Sequence, residues 1–90
     1  MTRFRYHKGM GVSYDRQGQI YFTLRHYSEL SPEQQERIAQ TAAAVCNGFD
    51  DLVLDYCTSD MDYKAACVKH HAAESVLYRY VARFYRAFPL

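Results

Sequence analysis

Ninety residues, 49% of them hydrophobic and 23% charged, give a globular rather than a disordered composition, with the length of one domain and little room for a second. A net charge of +1 decides nothing about a nucleic-acid partner, but the charge is unevenly spread. Residues 1–30 carry five basic and two acidic side chains, residues 31–60 one basic and six acidic, and residues 61–90 again five and two, so a basic, an acidic and a basic third follow one another.

Three cysteines (Cys46, Cys57 and Cys67) sit among apolar residues at helical spacing and read as buried free thiols of a reduced, cytoplasmic protein. Met1 is followed by a basic, Tyr-containing stretch without an apolar core, so no secretory leader is expected. No apolar run approaches the ~18–20 residues a membrane span needs, so no membrane partner is expected.

In chain order, the first eight residues read as a basic arm or an edge strand carrying Arg3, Arg5 and Lys8. A β-hairpin is predicted next. Val12-Ser13-Tyr14 and Gln19–Leu24 flank the turn residues Asp15-Arg16-Gln17-Gly18, and Ile20, Phe22 and Leu24 alternate with Tyr21, Thr23 and Arg25. Ser31-Pro32-Glu33-Gln34 then opens a helix: Ser31 caps, Pro32 occupies the first helical position and Gln34 completes a capping box. That helix runs through Ile38, Ala42 and Val45 to a stop at Asn47-Gly48. A second helix, from Phe49 to about Cys57, carries Phe49, Leu52, Val53 and Tyr56 at i, i+3, i+4 and i+7. Thr58-Ser59-Asp60 breaks it.

Residues 61–90 are predicted to form two helices around a tight turn. Asp62 caps Tyr63–His70, His71-Ala72-Ala73 turns, and Glu74–Phe88 is the second helix with Leu77, Val81, Phe84 and Phe88 facing inward. Its outer face presents Ser75, Tyr78, Arg79, Arg83 and Arg86. The aromatic run Tyr78, Tyr80, Phe84, Tyr85 and Phe88 is expected to exceed what one small core hides, leaving part of it for a homodimer or a protein partner.

The stretch from Tyr63 to Tyr85 resembles the helix-turn-helix of transposases, resolvases and related mobile-element and phage regulators. Cys67 stands where that family places a small residue for close helix crossing, and Leu77, Tyr78 and Arg79 match its core residue and trailing Tyr-Arg. His71 replaces the usual turn glycine and Ala73 the usual capping Ser or Thr. The helix from Phe49 to Cys57 is similar to the first helix of such three-helix units. The resemblance implies a second helix lying in the major groove of double-stranded DNA. Ser75, Tyr78 and Arg79 would then meet base edges or nearby phosphates, Lys69, Arg83 and Arg86 would grip phosphates, and the arm residues Arg3, Arg5 and Lys8 would reach a second strand or the minor groove.

The expected fold is therefore α+β and mainly helical: one domain with an N-terminal hairpin (1–30) packed on four helices, two in 31–60 and two forming the helix-turn-helix in 61–90. The expected function is DNA binding by a small transcriptional or mobile-element regulator without cofactor or catalytic activity. The rival is a protein-interaction module on a degenerate helix-turn-helix scaffold. A zinc set of Cys57, Cys67, His70 and His71 is disfavoured, because the cysteines are ten apart and the histidines adjacent. Cys67 and His70, one helical turn apart, suggest a Cys-His hydrolase, but no third residue or oxyanion loop accompanies them.

Overall fold

Ser13 opens a helix where the sequence suggested the first strand of a hairpin. Its hydroxyl accepts the Arg16 amide at 3.2 Å, and α1 runs over Tyr14–Arg25. The computed structural model describes residues 7–59 and 61–90, Lys8 by its backbone alone. Four further helices follow: α2 (Pro32–Val45), α3 (Asp50–Thr58), α4 (Tyr63–His70) and α5 (Glu74–Ala87), with single 3-10 turns at Lys8–Met10 and Tyr27–Glu29.

Among the described residues there is no strand, so the predicted hairpin is absent and the fold is mainly α rather than α+β. The physical reason lies in the spacing. Ile20 and Leu24, which alternate as in a strand, are also one helical turn apart, and with Gln17 they form the buried stripe of α1. Phe22, which a strand would have put on the same face, is 54% exposed. Gly18 in mid-helix costs roughly 0.5–1 kcal/mol, a loss smaller than the gain from burying Ile20 and Leu24 at about 1.5–3 kcal/mol each.

Gln17 folds the preceding segment back onto α1. Its side-chain amide donates to the carbonyls of His7 and Val12 at 2.9 and 2.8 Å, and its carbonyl accepts the His7 amide at 2.9 Å. The turn in between buries Met10 against the core.

The second helix starts as its sequence dictates, with Pro32 at the first turn and the Ser31–Gln34 capping box formed in both directions. Ile38 and Ala42 face the core, and Asn47 (φ +47°) and Gly48 (φ +88°) end the helix in left-handed backbone. In α3, Leu52, Val53 and Cys57 are buried. Phe49 caps that helix from outside instead of belonging to its inner face.

The most buried helix is α5, which contributes Leu77, Tyr80, Val81, Ala82, Phe84 and Tyr85. It packs against α2, α3, α4 and the Lys8–Met10 turn, while α1 packs against α3. The buried residues of all five helices form one cluster. Two arginines of α1 tie distant parts to it: Arg16 donates to the carbonyls of Phe88 (3.4 Å) and Leu90 (2.7 Å), and Arg25 donates to that of Ser59.

Candidate nucleic-acid interface

The residues singled out in the sequence lie on α4, on α5 and on the turn that joins them. The α4 helix starts at Asp62, whose carboxylate accepts the Ala65 amide at 2.8 Å. It ends on His71 in left-handed backbone (φ +54°, ψ +44°). The amides of His71 and Ala72 turn back to the carbonyls of Val68 and Cys67 at 3.3 and 2.9 Å, which satisfies two of the helix's terminal acceptors. Histidine thus holds the position that a glycine occupies most cheaply. Ala73 precedes α5 in extended backbone, and no side chain caps that helix at its start. Ala66 and Cys67 are the buried residues of α4.

On α5, Leu77, Val81, Phe84 and Phe88 are buried as the helical spacing required. Tyr80, Ala82 and Tyr85 are buried as well. The aromatic run is therefore hidden to a larger extent than expected: of its five members, Tyr78 alone is exposed, at 37%. What remains outside is narrow. Ser75, Arg79, Arg83 and Arg86, at i, i+4, i+8 and i+11, form one exposed line along the helix.

The guanidinium groups of Arg79 and Arg83 lie 5.7 and 5.6 Å from the centre of the Tyr80 ring, within cation–π range. Arg86 donates to the Met10 carbonyl at 2.9 Å, which fixes its side chain while leaving its charge uncompensated. Among the described residues no carboxylate lies within ion-pair distance of Arg79, Arg83 or Arg86. Glu74, exposed in the first turn of α5, is the acidic residue at its N-terminal end.

Two of the predicted residues stand apart from that line. Tyr78 points to the N-terminal segment, where the His7 ring meets it edge-on at 5.9 Å. Lys69 lies on α4, and its ammonium is 2.8 Å from the Asp55 carboxylate, which also receives His70 Nε2 at 2.8 Å. Hydrogen bonds from Lys69 and then His70 hold the Asp55 carboxyl below its ordinary value of 3.8. The arm residues Arg3 and Arg5 and the Lys8 side chain lie outside the described residues.

Neither of the disfavoured constellations gains from the fold. Cys57 and Cys67 are buried, His70 is engaged by Asp55, and His71 is exposed in the turn. Among the described residues no group of three or more His, Cys, Asp or Glu is placed to hold a metal ion. Burial pushes the thiol of Cys67, the candidate nucleophile, above its ordinary value and away from the thiolate a nucleophile needs, as it does those of Cys46 (up to about 11) and Cys57. Among the described residues no helix is long and apolar enough to cross a membrane.

A feature the sequence reading missed is Phe49. It stacks on Tyr80 with ring centres 5.3 Å apart and planes 19° from parallel, yet is 37% exposed. The left-handed Asn47-Gly48 pair immediately before it was the available signal, since it swings the chain off α2 and leaves Phe49 outside the helix that follows.

No protein-family model matches this chain, and neither the curated proteins nor the solved structures searched gave a significant match.

Proposed function

We propose that the chain is a small DNA-binding protein, a transcriptional or mobile-element regulator acting in the cytoplasm, that lays α5 against double-stranded DNA with α4 as its supporting helix. The observation that carries the reading is the line of Arg79, Arg83 and Arg86 on the exposed side of α5, uncompensated by any carboxylate among the described residues. Three like charges spaced one helical turn apart repel each other by a few tenths of a kcal/mol per pair. A polyanion turns that cost into a gain by releasing its own counterions.

Within this reading the roles differ by position. Arg79 and Ser75, in the first half of α5, reach base edges or the phosphates beside them. Arg83 and Arg86 grip phosphates, and Tyr78 and Lys69 lie at the margins. The exposed Glu74 disfavours phosphate at the N-terminal end of the helix and leaves an acceptor for a cytosine amino group.

The test is the fluorescence anisotropy of a labelled duplex titrated with protein at two salt concentrations, for wild type and for an Arg79→Ala, Arg83→Ala double variant verified to be folded. Wild-type binding should weaken steeply with salt. In the double variant, the slope of log affinity against log salt should shrink by about 2. A folded wild type that ignores duplex at low salt would overturn the proposal.

One observation favours the protein-interaction reading instead. Tyr14 and Phe22 on α1 are 61% and 54% exposed, an aromatic surface of the kind that protein interfaces bury. A Phe22→Ala variant that retains DNA affinity but loses an associated protein or a dimer would assign that surface to a partner.

A further inference from the structure

We propose that Phe49, backed by a Tyr80 ring that Arg79 and Arg83 also approach, is a stacking site for an unpaired nucleotide, so that this protein takes single-stranded nucleic acid on the edge of its basic face. The proposal rests on the reading of that face as nucleic-acid binding, and adds to it a site on a different element with a different ligand.

The site is assembled from the α2–α3 turn and from α5. The turn ends in Asn47 and Gly48, both exposed and both in left-handed backbone, and lifts Phe49 out of the apolar face of α3. The Phe49 ring then lies nearly parallel on Tyr80, 19° between planes and 5.3 Å between centres. Tyr80 itself is 5% exposed, so it serves as a fixed floor rather than as a ligand group. Phe49 retains 37% exposure although a core lies beside it.

Two cations border the same floor, with Arg79 and Arg83 5.7 and 5.6 Å from its ring centre and both exposed. An aromatic ring fixed from behind by a tyrosine that two guanidinium groups also approach matches a nucleotide in both of its parts. A base stacks on the ring whatever its sequence, and its phosphate pairs with the arginines. Asp50 and Asp51 follow Phe49 directly at the start of α3 and repel phosphate there, so the strand's backbone is expected on the α5 side. In a duplex the bases are paired and stacked on each other and offer no free face to the ring.

The chain contains no tryptophan, so a Phe49→Trp variant carries a single indole reporter in the stack. It would be titrated with an oligothymidylate of about 16 nucleotides, with an abasic strand of the same length, and with a duplex. Emission should be quenched to saturation by the oligothymidylate, and little by the abasic strand or the duplex. In parallel, Phe49→Leu keeps an apolar side chain on Tyr80 without a ring and should lower the ratio of single-strand to duplex affinity about 5- to 100-fold, with Phe49→Trp restoring it. Anisotropy that reports oligothymidylate binding without indole quenching, or an unchanged ratio in a folded Phe49→Leu variant, would overturn the proposal. A wild type that binds duplex but no single strand overturns this site alone. One that binds neither overturns the basic face as well.

Discussion

Gln17 shows how one side chain can decide a local conformation. It is fully buried, and its amide satisfies both polar groups of the His7 backbone and the carbonyl of Val12. A Gln17→Leu change removes the three hydrogen bonds that tie His7 and Val12 to α1, while the Met10 amide still reaches the His7 carbonyl at 3.3 Å. We predict a loss of about 1–3 kcal/mol in urea denaturation, together with faster amide exchange across residues 7–12. A variant as stable as wild type would mean that the segment finds other bonds. None of this was legible in the sequence, where Asp15-Arg16-Gln17-Gly18 carries turn chemistry and Gln17 reads as its polar apex. The bond to His7 spans ten positions, beyond any local pattern. The end of α4 was legible by contrast: the sequence places the turn at His71, in the position of a turn glycine, and the helix ends there in left-handed backbone.

At the scale of the element, legibility followed the strength of the end signals. The capping box of α2 and the Asp62 cap of α4 use residues three apart, and both helices start where those residues place them. In α1 the alternation of Ile20, Phe22 and Leu24 and the placing of Ser13 in a first strand gave a hairpin, whereas Ser13 is the cap that starts the helix. The α3–α4 pair is joined by Asp55, whose carboxylate meets Lys69 and His70 at 2.8 Å. Because Lys69 and His70 lower its folded-state pKa, Asp55 stabilises the fold above the unfolded value of 3.8, and that contribution disappears as the pH falls through the lower folded value. Asp55→Asn should therefore cost about 1 kcal/mol or less near neutral pH, and the difference from wild type should narrow by about pH 3. Urea midpoints at the two pH values check this, and a difference that is constant with pH would remove Asp55 from the acid response.

For the whole molecule, the sequence indicated the basic C-terminal third and the inward residues of α5, but not how completely five helices would absorb its aromatics. Tyr80, Phe84, Tyr85 and Phe88 enter a core to which all the helices contribute, and a reading of α5 alone could not count those partners. The same dependence holds for α1, whose residues Ile20-Tyr21-Phe22-Thr23-Leu24 are uncharged and rich in strand-forming types. Contact with α3 holds that run in a helix. Detached from it, the run has the composition of a segment that associates edge to edge with copies of itself. Dilution of the urea-unfolded chain into buffer should then scatter light increasingly with protein concentration. Phe22→Lys should suppress the scattering at a stability cost of about 1 kcal/mol or less, and equal scattering by the two proteins would acquit the segment. Solubility on that account is a matter of time: it is set by how long a newly made chain stays open before Ile20 and Leu24 reach α3, and much less by how stable the finished protein is.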